Sequence, residues 1–257
     1  MARLIFTLIC LAGLIPAAAA QQYTTANAHS HNDYEHDAPF RNAFQRSFGS
    51  IEADIFEQNG ELYVAHNSTD IDKSRTLRSL YLLPLQQAVR EKKGIFADTA
   101  RPIQILIDFK TAGVPTMRTL IAQLQAFPEI TTHPKIKLVI SGSRPDPALW
   151  KQYPPYIWFD GIPTVSYTDE QLSRIALISD SFGHYAKWNG NGTLSSEEEL
   201  RIRTVIGKVH GMNKPFRFWA TPDNSNTWET MMKLGVDYLN TDKIDALADY
   251  LEKAARY

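Results

Sequence analysis

The feature that most constrains the fold of this chain is a rhythm: short apolar runs alternate with longer stretches in which apolar residues recur at helical spacing. Short runs bounded by turn residues are expected to be strands, and the longer periodic stretches helices. Strands are expected over Thr24–His29, Ser50–Phe56, Ile103–Phe109, Ile136–Ile140, Ile157–Asp160, Arg174–Ser179, Phe216–Ala220 and Asp237–Asn240. Helices are expected over Leu77–Lys93, Val114–Phe127, Ser196–Met212, Asn226–Leu234 and Lys243–Ala255. The run Ser195-Ser196-Glu197-Glu198-Glu199 offers a hydroxyl to orphan N–H groups and carboxylates to the positive end of the helix dipole, so a helix start is expected there. Alternating strand and helix units build a parallel α/β sheet. About eight of them in a chain of this length fit a closed (β/α)8 (TIM) barrel. Four prolines between Arg144 and Pro155 make a helix after the fourth strand unfavourable and the fourth unit irregular. The structural rival is an open doubly wound sheet, but no G-x-G-x-x-G follows the first strand.

With 44% hydrophobic residues and 27 Lys+Arg against 28 Asp+Glu, the chain has the composition of a folded protein and no basic footprint for nucleic acid. Residues 1–20 resemble a removable export signal: Arg3, an apolar run Leu4–Ile15, and Ala18-x-Ala20 before the cut. That run, about a dozen residues, is too short for a bilayer core of about 30 Å. No later apolar stretch reaches that length. The expectation is a signal peptide over 1–20 and an exported barrel domain over 21–257, periplasmic or extracellular. Cys10, the only cysteine, falls in the leader, so the mature domain is expected to hold together by its core.

Polar residues gather at the ends of the early strands, which in a barrel form the face where active sites are built. The first strand ends in His29-Ser30-His31-Asn32-Asp33-Tyr34. The second carries Glu52-x-Asp54, and alternation turns both carboxylates to one side of the sheet. Two inward carboxylates repel and lose solvation unless a cation or proton compensates. A hard divalent cation, Mg²⁺ or Ca²⁺, is the simplest compensation because such ions take oxygen ligands. A turn at Asn59-Gly60 brings Tyr63-Val64-Ala65-His66 back to the same rim, and the strand over 103–109 ends in Asp108-Phe109-Lys110. One mouth thus gathers His31, Glu52, Asp54, His66, Asp108 and Lys110. A metal and a lysine to balance phosphate charge, with two histidines to move protons, suit phosphodiester chemistry.

The Ser30-His31-Asn32-Asp33-Tyr34 opening, the Glu52-x-Asp54 pair and the histidine in Tyr63-Val64-Ala65-His66-Asn67 resemble the phosphatidylinositol-specific phospholipase C-like superfamily, which includes the glycerophosphodiester phosphodiesterases. The branch most similar is that of the altered inheritance of mitochondria protein 6. Asp108-Phe109-Lys110, Phe218-Trp219-Ala220-Thr221 and Thr241-Asp242 resemble later motifs of the superfamily. The resemblance implies that His31 and His66 are the acid/base pair and that Glu52, Asp54, Asp108 and Asn32 hold one divalent cation. It further implies that Lys110 contacts phosphate. Trp219, at a strand end, is expected to be either barrel packing or a wall for substrate, and His29 is expected among the substrate-binding residues. Two departures stand out: no arginine follows the first-strand histidine, and an acidic position often occupied by Glu is Asp108. His29 competes with His31 for the first catalytic position. The implied ligand is a small-molecule or lipid head-group phosphodiester of glycerol or inositol type.

Two other functions compete. An H-x-H at a first strand end also suits metal-dependent amidohydrolases, although those need histidines on middle strands, where this chain has Asp160 and, beyond the sixth strand, His184. A catalytically silent barrel that binds a phosphorylated ligand is the third. The remaining polar residues have plainer readings. His36, His133, His184 and His210 are expected to be ordinary satisfied histidines, Glu197–Glu199 a solvated helix start, and Asp242 the cap of the last helix.

Overall fold

The computed structural model describes residues 22–92, 95–96 and 100–254. The expected leader with Cys10, and the expected helix ends at Lys93 and Ala255, lie outside the described residues. In chain order the elements are β1 (Ala28–Ser30), α1 (Arg41–Gln45), β2 (Ser50–Gln58), β3 (Glu61–Val64), α2 (Leu83–Lys92), β4 (Ile103–Phe109), α3 (Gly113–Leu124), α4 (Pro128–Thr131), β5 (Ile136–Gly142), β6 (Ile157–Gly161), α5 (Asp169–Leu172), β7 (Ile175–Ser181), α6 (Ser196–His210), β8 (Phe216–Trp219), α7 (Ser225–Leu234), β9 (Leu239–Thr241) and α8 (Ile244–Ala254).

Eight strands run parallel in the order β8-β7-β6-β5-β4-β2-β1-β9, and β3 folds back antiparallel on β2. A parallel bridge between Arg217 and Tyr238 joins β8 to the entrance of β9, so the sheet is a nearly closed barrel. The expected (β/α)8 architecture is the one observed, and the fourth unit is irregular as expected: after β5 the proline-rich stretch makes only a 3₁₀ helix, Pro147–Gln152. The β2–β3 hairpin turns on Asn59 and Gly60, both with positive φ (54° and 84°), the backbone that a two-residue turn between twisted strands requires. Where the strand limits differ from expectation, local capping explains the largest shift. Thr24 caps a 3₁₀ turn over Thr25–Asn27, so β1 begins at Ala28 rather than Thr24. The short helices α1, α4 and α5 have too few residues to show a helical period.

Alternation along the strands sorts side chains into two cores. Ile105, Ile107, Ile140 and Phe159 face the helices in a large outer core, where Trp150 stacks on Phe159 with ring centroids 4.2 Å apart. Leu106, Val139 and Leu177 fill the barrel interior with Trp158 and Tyr238 against them. One step further along the same inward-facing rows come polar residues: Asp54 pairs in register with Asp108, and Asp108 with Ser141. An apolar layer therefore plugs the barrel beneath a polar layer at its C-terminal mouth. Among the described residues no helix is long and apolar enough to cross a membrane.

Candidate active site

The polar layer lines a cleft of about 560 Å³. Its lining includes His31, Asn32, Glu52, Asp54, His66, Asp108, Lys110 and Trp219. Eight of the nine site residues expected from sequence thus share one cavity; His29 is the exception.

The first loop shows why its residues are spaced as they are. β1 ends at Ser30, and His31 N–H bonds Thr241 O at 2.9 Å, which holds the loop against β9. Asn32 takes left-handed backbone (φ 47°, ψ 35°), a conformation that asparagine tolerates better than most residues. Asp33 is buried beneath it and accepts from Ser30 Oγ (2.9 Å), Phe40 N (2.5 Å) and Tyr81 OH (3.0 Å). Burial raises its pKa against the pull of those donors. The loop is tied from below, and His31 and Asn32 are left facing the cleft.

His31 Nδ1 lies 2.7 Å from Asp242 Oδ1. Burial would lower the pKa of this histidine, but the bond to Asp242 and the charge of Glu52 outweigh it and the net shift is upward. The expected helix-cap reading of Asp242 gives way to this contact, because the end of β9 delivers its carboxylate to His31. Asp242 is itself placed by Asp223, whose Oδ2 accepts the Asp242 N–H (2.9 Å) and whose two oxygens accept from Thr241 Oγ1. On the other wall, His66 turns Nδ1 to the hydroxyl of Tyr34 at 2.9 Å.

Glu52, Asp54 and Asp108 each present an oxygen within 4.8 Å of the others'. Burial would raise the pKa of Glu52, but His29 at 2.7 Å and Arg217 at 3.3 Å hold it well below the usual range. Asp54 goes the other way: burial and the charge of Glu52 push it up to about 6, against the pull of Lys110. Lys110 Nζ bridges Asp54 Oδ2 (2.9 Å) and Asp108 Oδ1 (3.0 Å). Burial pulls its pKa down, but the two carboxylates raise it overall. Asp54 Oδ1 is buried with no hydrogen-bond partner. An orphaned carboxylate oxygen in a cluster of three, all oxygen donors, fits a hard cation.

His29 lies beneath the cleft rather than in its lining. It is fully buried, with Nδ1 at 2.6 Å from Ser50 Oγ and Nε2 at 2.7 Å from Glu52 Oε2. Burial and Arg217 lower its pKa to about 3, so the ring is neutral. An amidohydrolase-type pair would bring both imidazoles of His29-x-His31 to one ion, whereas here one serves Glu52 and the other Asp242. Sequence reasoning missed Arg217, a buried arginine whose Nη1 donates to Glu52 Oε2 and, at 3.2 Å, to Asn240 Oδ1 and lies against His29 Nε2. Its signal was available: a charge between Phe216 and Phe218 in a strand must point inward. Also missed were Asp160, which accepts from Ser141 Oγ (2.9 Å) and Ser179 Oγ (2.5 Å), and the pair Asp180–His184 at 2.9 Å in the far wall. Trp219, 41% exposed, stands in the lining at the end of β8.

Comparison with known proteins agrees with this geometry. Residues 18–133 match the family described as AIM6-like phosphodiesterase domain, and residues 215–245 match the glycerophosphoryl diester phosphodiesterase family. The altered inheritance of mitochondria protein 6 homolog of Arthroderma benhamiae is 26% identical over 260 residues, covering 86% of this chain and 82% of that one. The altered inheritance of mitochondria protein 6 of Eremothecium gossypii is 25% identical, covering 86% and 68%. In fold, the chain is similar to a glycerophosphodiester phosphodiesterase from Parabacteroides distasonis (TM-score 0.56, 12% identity, 89% and 96% covered). It is also similar to a calcium-dependent phosphoinositol-specific phospholipase C from Pseudomonas (TM-score 0.54, 13% identity, 89% and 94% covered). Over residues 18–133 the chain is thus similar to the AIM6-like phosphodiesterase domain, along most of its length it is similar to the altered inheritance of mitochondria protein 6 homologs, and its fold is that of the glycerophosphodiester phosphodiesterase and phospholipase C-like barrels.

Proposed function

We propose that the protein is an exported, metal-dependent phosphoric diester hydrolase acting on a small-molecule or lipid head-group diester of the glycerol or inositol type. The observation that carries this reading is the convergence, in one cleft, of two imidazoles tethered through Nδ1 with a three-carboxylate cluster and a lysine. Glu52, Asp54 and Asp108, with Asn32 beside them, would hold one Mg²⁺ or Ca²⁺. Such an ion supplies charge stabilisation for phosphorus oxygens. Lys110 adds a second positive charge at the same place, and Trp219 forms a wall for the rest of the substrate.

His31 and His66 divide the proton transfers. One imidazole takes the proton from a substrate hydroxyl next to phosphorus as that oxygen bonds to it. The other gives a proton to the leaving oxygen as the P–O bond breaks. The product of that step is a cyclic phosphate, which water then opens. An internal hydroxyl has a large effective molarity, worth several kcal/mol of barrier, and the described residues offer a single carboxylate cluster rather than two. Residues 1–20 would be removed on export, leaving a mature chain that begins at Gln21. Mass measurement of the secreted or periplasmic protein tests this.

The decisive experiment is a panel of glycerol, inositol and aryl phosphodiesters assayed with added Mg²⁺ or Ca²⁺ and with chelator. Turnover that chelator abolishes, with a cyclic phosphate seen by phosphorus NMR and slow cleavage of the deoxy analogue, is the expected result. Metal-dependent binding of phosphorylated ligands without any turnover would instead make the barrel a silent receptor.

A further inference from the structure

Tyr34 has no part in the chemistry above, yet its phenol touches three groups of the cleft. The oxygen lies 2.7 Å from Asp54 Oδ2, 2.8 Å from Asn32 Oδ1 and 2.9 Å from His66 Nδ1. The side chain is buried, and its ring lies beside that of His66 with the planes 24° apart. A phenol owns one hydrogen and can accept two. Three polar neighbours therefore settle which atoms carry hydrogens. The Asp54 carboxylate, when ionised, has no hydrogen to give, and an oxygen–oxygen contact of 2.7 Å without one between them is repulsive, so the phenol donates to Asp54. The remaining two neighbours must then donate to the phenol. Asn32 does so when its amide is turned half round, nitrogen toward Tyr34 and oxygen toward the cleft, the orientation a metal ligand needs. For His66 there is one way to donate, from Nδ1–H.

We propose that Tyr34 is a positioning residue that locks neutral His66 in the Nδ1–H form, so that Nε2 is the atom at which His66 takes up a proton. Among the described residues no hydrogen bond to Nε2 is found, and the imidazole lines the cleft. The ring nitrogen that carries the proton is set by the bond that the other nitrogen makes. Asp54 Oδ2 lies 3.8 Å from Nδ1, beyond hydrogen-bond reach, so without the phenol no hydrogen bond at Nδ1 holds that form. The same hydroxyl joins His66 to Asp54 and Asn32, so the proton carrier and two of the cation's ligands are held in one hydrogen-bonded set. The inference rests on the phosphodiesterase reading only for the purpose it gives His66; the tautomer belongs to the free protein.

The test is long-range ¹H–¹⁵N correlation of the histidine rings in ¹⁵N-labelled protein, with chelator and no substrate, at a pH above the usual imidazole range. The His66 signals are assigned by their loss in His66→Gln. Nδ1 of His66 is expected at the shift of a protonated ring nitrogen and Nε2 at that of an unprotonated one. In Tyr34→Phe the pattern is expected to move toward the Nε2–H form while the other histidines keep theirs. A wild-type His66 already in the Nε2–H form, or a tautomer unmoved by Tyr34→Phe, overturns the proposal. If Tyr34→Phe fails to fold, the wild-type spectrum alone decides the first point. A protein that cleaves no diester would still give the same spectrum, so failure of the functional reading and failure of this one are distinguishable.

Discussion

His29 and His31 stand two residues apart on one strand end and meet different fates, because the barrel wall closes over the first and opens at the second. His31→Ala and His66→Ala are each expected to lower diester turnover by at least about 10², the usual scale for a general acid or base. His29→Ala should act on stability instead: it strips buried Glu52 and Ser50 of a partner, which costs about 1–3 kcal/mol. A His29→Ala protein with an unchanged melting temperature and turnover as low as that of His31→Ala would reverse the assignment. Asp54 gives a second test at this scale. Its pKa is raised from the free value to about 6 by burial and by Glu52, so the folded state prefers the protonated form. Stability from this group is therefore present below pH about 4 and is lost as pH rises through 6. The shift of about two units corresponds to at most about 3 kcal/mol. Chelated Asp54→Asn, free of that penalty, should melt higher than chelated wild type at pH 8, and the gap should close near pH 4, less what Lys110 loses with its partner. A gap that ignores pH would mean that the carboxylate is comfortable where it is.

Among the elements, α6 shows local chemistry acting without tertiary help. Ser195 and Glu198 form a reciprocal capping box, each side chain bonding the other's backbone N–H (3.3 and 3.2 Å), and the acidic first turn faces the helix dipole. Ser195→Ala is expected to cost about 1 kcal/mol, a fall of about 2–4 °C in a chain of this size, with metal affinity unchanged. A thermal melt and a calorimetric metal titration read both. The β2–β3 hairpin is likewise local: Asn59-Gly60 supplies the turn, and the turn sets the register that carries His66 back to the mouth. By contrast, the expected helix over Leu77–Lys93 opens as a wide π turn, Arg78–Leu82, before α2 begins at Leu83, and nothing in the sequence period marks that widening.

For the molecule as a whole, a cation that binds the folded barrel and not the unfolded chain must stabilise it by mass action. At a hundred times its Kd, Mg²⁺ or Ca²⁺ is expected to add about 2.7 kcal/mol, or about 5–10 °C. Asp54→Asn and Asp108→Asn should abolish the gain. Glu52→Gln is a poorer probe, since it also leaves buried Arg217 facing an uncharged amide and so lowers the baseline. A melting temperature indifferent to divalent ions in wild type would remove the metal centre from the functional reading.

The barrel, the hairpin and most of the cleft were legible in the chain because they depend on short-range rules. A period of two turns Glu52 and Asp54 to one side, a period near 3.6 marks the helices, and the prolines after β5 leave the fourth unit without an α-helix. What those rules cannot supply is the partner across the barrel. Asp242 meets His31 over 211 residues and Arg217 meets His29 over 188, and both meetings exist only because β9 closes on β1 and β8 bridges to β9. Alternation says that Arg217 points inward, not that it neutralises Glu52. It puts His29 and His31 on one side, not at one height relative to the mouth. Local sequence therefore settled which residues face the barrel interior, while closure of the barrel, which fixes strand stagger and cross-barrel distance together, decided which of them meet.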